Sequence, residues 1–480
     1  MNTLDDAERK VPDHTTGDGR LALLLGLGRF GGGVEAARFV ARRGWRLRVA
    51  DRAAEASLAD SVAALDGLDV DWRLGGDDLA VLEGVDLLVV NPAVPEHNPV
   101  LAAARQRGIP TTQEVALFLE SYPGRVVGVT GTNGKSTTTT LLARALERSG
   151  VATLCGGNLG HSLLADEPRW QREQVAVLEL SSFQTERLDP ARHALRGAVF
   201  TAVTRDHLDR HGSLAAYHRA KAVAAACARD FVVHAALDPI AASFATDARH
   251  RLVHRRGPRQ DGAAAWIDDG MICVDPGVGD DAGALCGVDA LALLGAFHVD
   301  NAMAAAIAAL RLGARLHTAG LAIATQRPLP FRLQLAAVVD GVRYYDNAVS
   351  TALESTQSAI DSLSGPLHWV GGGKSKDGPE AYDRFAAAIA GRVASAHVFG
   401  SAAEPVAAGL RARGEVATAH DGLAEALRSA RSRARPGEAI LFSPGFASFD
   451  QFTNFRARAT AFRAWLDGAA RGRFSPVTTG

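Results

Sequence analysis

The sequence predicts an α/β protein made of three successive, mainly parallel sheets. Three observations predict it. Short apolar strands alternate with amphipathic helices along almost the whole chain, glycine-rich turns follow two early strands directly, and the pair of prolines in Arg327-Pro328-Leu329-Pro330 interrupts the alternation. At 480 residues, and with about 100 to 200 residues per domain, three domains with ample core are expected. Their bounds are set at 19–123, 124–327 and 328–480, after a loose polar tail over 1–18.

The first domain opens on an apolar strand over 21–25 that ends in Gly26-Leu27-Gly28, followed by a helix over 34–43 and a strand over 46–50 that stops at Asp51. This is a β-turn-α-β unit, so the domain reads as Rossmann-like. A strand over 85–90 and helices over 98–107 and 113–120 complete it. The second domain starts with Val126-Val127-Gly128-Val129-Thr130 and a helix over 137–149, then strands over 174–180 and 197–201 and a helix over 301–311. Residues 255–290, rich in Gly and Asp, suit hairpins. The third domain alternates again: strands over 336–339, 342–345, 367–370, 396–399 and 439–442, helices over 353–362, 382–390 and 423–432, and a closing amphipathic helix over 458–467. It too reads as Rossmann-like and doubly wound.

Composition excludes several classes. Hydrophobic residues make up 47% and charged residues 22%, with formal net charge −1, which gives no electrostatic case for nucleic acid or a membrane surface. No run approaches the 18 or so apolar residues that span a bilayer, and residues 1–18 lack the apolar segment of a signal peptide, so a cytoplasmic location is expected. The four cysteines, at 155, 227, 273 and 286, show neither C-x-x-C spacing nor a dense framework, which argues against a disulfide scaffold or structural zinc.

The chemistry begins at Thr130-Gly131-Thr132-Asn133-Gly134-Lys135-Ser136-Thr137. Glycines at 131 and 134 permit a tight turn that aims backbone N–H groups at phosphate oxygens, and the following helix adds its positive end. Lys135 suits the terminal phosphates and Ser136 a Mg²⁺ ion, so the second domain reads as a P-loop-type ATPase domain. The usual spacing puts the first glycine at 129, where this chain has Val, with Gly128 one place early. Elsewhere, Glu179, His207 and Lys221 occupy three separate segments. Singly, each also reads as an ordinary residue: a strand-end cap, a core histidine and a solvated helix lysine.

Together with the loop, four segments match in order and spacing: Thr130 to Thr137, Glu179-Leu-Ser-Ser-Phe-Gln184, Thr204-Arg-Asp-His-Leu-Asp-Arg210 and Tyr217-His-Arg-Ala-Lys221. The chain thereby resembles the ATP-dependent Mur ligase family of peptidoglycan synthesis over residues 20 to 470. Glu179 to Gln184 and Ser443-Pro-Gly-Phe-Ala-Ser-Phe-Asp-Gln-Phe-Thr-Asn-Phe455 are most similar to the glutamate-adding branch. Folylpolyglutamate synthases lack the latter run, and the Asp-Asn-Pro-Arg motif of the diaminopimelate- and lysine-adding ligases is absent here.

The resemblance implies an ATP-dependent amide ligase, acting as a monomer, that takes UDP-N-acetylmuramoyl-L-alanine, D-glutamate and ATP as substrates. It implies ATP contacts from Gly131, Thr132, Asn133, Gly134, Lys135, Ser136, Thr137, Asn301, Arg332 and Asn347. Catalytic roles fall to Lys135, Glu179, His207 and Lys221. Two Mg²⁺ ions are implied, with Ser136, Glu179, His207 and a carbamoylated Lys221 as ligands. The UDP-linked precursor would meet Leu27, Gly28, Arg29, Phe30, Asp51, Arg52 and Asn158, and glutamate would meet Thr351, Lys376, Ser448, Phe449 and Phe455.

Two alternatives accompany this reading: a ligase of the same family using L-glutamate or another amino acid, and a paralogue that binds precursor without catalysis. The spacing of Gly26, Gly28, Gly31 to Gly33 and Asp51, about twenty residues on, also fits a dinucleotide fingerprint, though the downstream motifs favour a uridine diphosphate. Departures from the family pattern stand at Asn347, where relatives carry Asp, and at Ala348, Arg205, Phe331 and Val299.

Overall fold

A computed structural model describes residues 17–470 apart from 30, 280 and 377. The chain divides into two compact units. The first comprises residues up to Thr204, Ala215–Leu285 and Ala302–Ile323; the second comprises Arg205–Leu214, Cys286–Asn301 and the chain from Ala324 onward.

The first unit carries two sheets. In the earlier one, β1 (Leu21–Leu25), β2 (Arg46–Asp51), β3 (Val70–Leu74), β4 (Leu87–Val90) and β5 (Thr111–Thr112) lie in the order β3-β2-β1-β4-β5, all parallel. Helices must therefore cover both faces, and the residues of β1 alternate accordingly. Ala22 and Leu24 join a core with Phe39 and Phe118, whereas Leu21, Leu23 and Leu25 join one with Val100 and Leu101.

The larger sheet contains β6 (Arg125–Thr130), β7 (Thr153–Gly157), β8 (Val175–Glu179), β9 (Leu195–Phe200), β10 (Ala228–Ala235), β11 (His250–His254), β12 (Ala263–Asp268), β13 (Met271–Val274) and β14 (Gly283–Gly287). Their order is β14-β13-β12-β11-β10-β9-β6-β8-β7. β6 is an interior strand, third from one edge and parallel to both neighbours, which accounts for its apolar sequence. The expected hairpin in the Gly- and Asp-rich stretch is the antiparallel pair β12 and β13.

One hydrophobic cluster runs between the two sheets of this unit, taking in Phe39, Phe118, Tyr122, Leu163 and Leu178. Trp170, partly buried, packs against it, edge-on to Phe118 at 5.4 Å and to Tyr122 at 5.5 Å between ring centroids. Arg187 closes one side by donating to the carbonyls of Asn91, at 3.1 Å, and Val94, at 2.5 Å, and to the Glu96 carboxylate at 2.8 Å.

The second unit holds β15 (Gln334–Val339), β16 (Val342–Asp346), β17 (Leu367–Gly372), β18 (Ser395–Phe399), β19 (Ala417–His420) and β20 (Ala439–Gly445), in the order β15-β16-β20-β17-β18-β19. Only β15 is antiparallel to its neighbour, joined through the tight turn at Asp340-Gly341. Trp369 and Leu441 pack on one face with Phe385 and Val406; Val370, Ile440 and Phe442 pack on the other with Leu427, Phe462 and Leu466. The sheet is thus doubly wound, and its five parallel strands end toward one common edge where ligands of such sheets gather.

Buried histidines are expected to make this fold acid-sensitive. His397 is fully buried, shares the Ser395 hydroxyl at 2.8 Å with His368, and stacks on His420. Burial pushes its pKa down to about 3, and likewise pushes His254 to about 3 and His298 to about 4. In the unfolded chain a histidine titrates near 6.5, so below that pH the unfolded state binds protons that the native state refuses, and stability is lost as pH falls. Each such histidine costs about 2 kcal/mol between pH 6.5 and 5. We expect the urea midpoint of the wild type to drop from pH 7 to pH 5, and His397→Asn to drop measurably less.

Candidate active site

In the first unit, the end of β6 turns through a loop with little space inside it. Gly131 has φ +146°, and a Cβ there would lie 1.9 Å from the Thr201 hydroxyl, so only glycine fits. Thr132 anchors the loop: its N–H donates to Ala202 O at 2.7 Å, and its hydroxyl lies 2.8 Å from the Tyr217 hydroxyl. Gly134, at φ 87°, leads straight into a helix over Lys135–Arg148, two residues earlier than the sequence pattern indicated. Lys135 and Ser136 are therefore first-turn residues, at the positive helix end. The Lys135 ammonium folds over the loop and donates to Thr132 O at 2.7 Å and Gly131 O at 3.2 Å.

A buried polar cluster stands against this helix start. Glu179, at the C-terminal end of β8, is 2% exposed. One of its oxygens accepts from the Ser136 hydroxyl at 2.5 Å and the other from the Asn158 side-chain amide at 2.7 Å. A hydroxyl and a carboxylate, the latter oriented by an amide, form a hard-oxygen donor set of the kind Mg²⁺ takes. Lys221, on the Leu214–Cys227 helix, is 1% exposed and donates to Gly131 O at 2.5 Å, with the Tyr217 ring centred 4.9 Å away. The loop, Glu179, Asn158 and Lys221 thus converge.

The glycine turn after β1 uses Asp51 differently from a dinucleotide fold. The Asp51 carboxylate accepts from the N–H groups of Leu27 at 2.9 Å, Gly28 at 3.2 Å and Ala53 at 2.9 Å. That leaves it engaged in holding the turn instead of facing a ribose, as the acidic residue of a dinucleotide fingerprint would. Arg29 is exposed, Leu27 is buried, and Arg52 pairs with Asp77 at 2.8 Å on the surface. Phe30 lies outside the described residues.

In the second unit a cavity of about 190 Å³ gathers Thr351 and Lys376 with Arg205, Asp206, Ser375 and Arg384, floored by Phe385 and Phe446. Two arginines, a lysine and two hydroxyl residues in one lining suit a carboxylate-bearing ligand. The Lys376 ammonium donates to the Thr351 hydroxyl at 3.2 Å and lies 3.6 Å from Asp206. Ser448, Phe449 and Phe455 are not in its lining: Ser448 is buried, Phe449 is 72% exposed, and Phe455 begins the closing helix. Lys374 exchanges two backbone hydrogen bonds with Ala447, at 2.8 and 3.0 Å, next to Ser448.

Also in this unit, His207 adopts the left-handed conformation (φ 52°) beside the Asp206 carboxylate, at 3.4 Å. A non-glycine residue held there is strained, as residues at functional sites often are. Asn301 is buried against His298 at 3.2 Å, and the Arg332 charge adds to the burial that keeps His298 neutral. Arg332 itself stands between Phe331 and Leu333, both at positive φ.

Asn347 explains how that strained segment is held. Its side-chain oxygen accepts from Leu333 N at 3.2 Å and its amide donates to the Ser443 hydroxyl at 3.0 Å, so both ends are used inside the unit. Asp346 is fully buried and accepts from Arg463 at 2.7 Å, which points it away from the role of a substitute for a carboxylate at 347. We expect Asn347→Asp to lower stability by about 1 to 3 kcal/mol in urea titrations, since it buries a charge and deletes a donor. The KM for ATP is expected to stay within about three-fold.

A model of the Mur ligase middle domain matches residues 129–309, and one described as the N-terminal domain of MurD-like Mur ligases matches residues 20–113. Among curated proteins, the UDP-N-acetylmuramoylalanine–D-glutamate ligase of Pelotomaculum thermopropionicum is 35% identical over 92% of this chain and 96% of its own length. The protein of the same name from Roseiflexus sp. is 34% identical over 93% and 98%. Two solved structures share the fold. The UDP-N-acetylmuramate-alanine ligase of Thermotoga maritima has TM-score 0.59 at 16% identity, covering 94% of this chain and 99% of that one. The MurF ligase of the same organism, in complex with ADP, has TM-score 0.56 at 15% identity, covering 89% and 96%.

Proposed function

Because the chain belongs to the Mur ligase family, we propose that it joins D-glutamate to UDP-N-acetylmuramoyl-L-alanine at the expense of ATP, in the cytoplasmic stage of peptidoglycan synthesis. The observation that carries the reading is the buried contact of Ser136 with Glu179 at the head of the phosphate-loop helix. The relatives' shared name supports the choice of substrates.

The alanyl carboxylate attacks the γ-phosphorus of ATP and ADP departs, leaving an acyl phosphate. The glutamate amine then attacks the acyl carbon, loses its proton, and expels inorganic phosphate as the amide forms. The protein's share is positioning and charge neutralisation. The loop N–H groups and Lys135 hold the phosphates, whose added charge in the transition state the positive helix end favours. Ser136 and Glu179 are the residues that would hold Mg²⁺, which supplies charge neutralisation between phosphate oxygens. Lys221, as its Nζ-carbamate, would add a further oxygen ligand for a second ion. In the second unit, Thr351 and Lys376 are proposed to meet glutamate, and Asn301 and Arg332 the nucleotide.

Phosphate release with ATP, UDP-N-acetylmuramoyl-L-alanine and each glutamate enantiomer in turn tests the proposal. Release is expected with D-glutamate. Release with L-glutamate alone would reassign the amino acid, and release with neither would overturn the enzyme reading.

A further inference from the structure

We infer that Arg458 is a positioning residue for the amino-acid substrate, because its guanidinium fastens together the three segments that bring Thr351, Lys376 and Phe446 to the cavity. The inference rests on the proposed function for the identity of that substrate, and on geometry for the fastening.

Arg458 lies in the first turn of the Phe455–Ala470 helix, four residues before Phe462 and eight before Leu466, on the stripe that faces the core. It is fully buried. Local physics opposes a cation here twice over: the helix N-terminus is the positive end of its dipole, and a buried charge is costly to desolvate. Packing alone would be served by Met or Leu at this position. What the guanidinium adds is a set of backbone carbonyls from distant parts of the chain.

One terminal nitrogen donates to Gly372 O at 3.2 Å and Phe446 O at 3.0 Å; the other reaches Ala348 O at 3.5 Å and Ser350 O at 3.4 Å. None of these acceptors is a carboxylate, and the remaining Nε has no hydrogen-bond partner among the described residues. Ser350 precedes Thr351 directly, Gly372 stands four residues before Lys376, and Phe446 itself lines the cavity. The backbone pair between Lys374 and Ala447 closes the same knot. Gly373 makes the closeness possible, since a Cβ there would sit 2.2 Å from Ala447 O and 3.2 Å from the guanidinium. A planar fork with several donors can serve these carbonyls at once, whereas a lysine ammonium on a longer stem cannot span them.

The test combines steady-state kinetics with hydrogen exchange on the unliganded full chain, for wild type, Arg458→Met and Arg458→Lys. For Arg458→Met we expect faster exchange confined to the segments around 351, 376 and 446. We also expect a glutamate KM raised by about ten-fold or more, with the KM for ATP within about two-fold. Arg458→Lys is expected between the two, and guanidinium ion added to folded Arg458→Ala should lower the glutamate KM. A folded Arg458→Met with unchanged exchange in those segments, or with all KM values raised alike, would overturn the inference. If Arg458→Met does not fold, Arg458→Lys decides by the same readouts. A wild type inactive with glutamate would remove the proposed substrate, and the exchange pattern would still decide whether Arg458 fastens the loops.

Discussion

Glu179→Gln is expected to lower kcat by about a thousand-fold or more while leaving the protein folded and as stable as the wild type. The geometry sets both halves of that expectation. Glu179 is almost completely buried, with its two oxygens taken by Ser136 and Asn158. A glutamine keeps the shape and one acceptor for the Ser136 hydroxyl, so packing survives. Removing a buried charge also removes its desolvation cost, which commonly leaves stability unchanged or improved. What disappears is the negative charge that would hold a divalent cation against the triphosphate, and about 4 kcal/mol of transition-state stabilisation corresponds to the stated loss. Single-turnover phosphate release and thermal unfolding, measured on the same preparation, check it. Activity within ten-fold of wild type in a folded Glu179→Gln would remove Glu179 from the metal site.

The parts of this fold that sequence revealed are those where local and tertiary preferences agree. β1, β6 and β8 are apolar runs bounded by glycine or polar residues, and the structure has strands at each. β10 escaped notice because the Leu214–Cys227 helix runs into it without an intervening Gly or Pro. β7 escaped because its sequence, Thr-Leu-Cys-Gly-Gly, has poor strand propensity, and its glycines are there for another reason. A Cβ at Gly157 would lie 2.5 Å from Glu179 O, so the strand is glycine-rich to admit the neighbouring strand's end.

The candidate site divides along similar lines. The phosphate loop was legible because backbone geometry dictates its residue types. Asp51 was singled out by spacing, but spacing could not tell that its carboxylate holds the turn by accepting from the Leu27 and Gly28 N–H groups. Asn347 was noticed as a departure, while its use against Leu333 and Ser443 depends on contacts across 14 and 96 residues of sequence. Arg384 gave no signal, being one more arginine on an amphipathic helix until the fold brought it to the cavity with Thr351 and Lys376. Arg458 did give one: a cation on the apolar stripe of a helix breaks the pattern, and such breaks concentrate at sites with a task.

Lys221→Ala is expected to lower activity by about a hundred-fold or more, and short carboxylates such as formate or acetate are expected to restore part of it. The side chain is nearly fully buried and directed at the loop carbonyl of Gly131. An ammonium at that place would repel a divalent cation held beside bound phosphates. Addition of CO₂ to the neutral amine, with loss of one proton, would convert it into a carboxylate-like oxygen donor and reverse the sign of the interaction. Two outcomes separate this from a purely structural lysine. Wild-type activity should fall in CO₂-free buffer and return with bicarbonate, which a lysine that only ties down the loop would not show. Recovery of Lys221→Ala by added carboxylate should depend on its concentration and leave the thermal unfolding midpoint unmoved. Normal turnover by Lys221→Ala, or a wild type indifferent to CO₂ together with no carboxylate rescue, would end the carbamate assignment and leave Lys221 as a hydrogen-bond donor that stabilises the turn at Gly131.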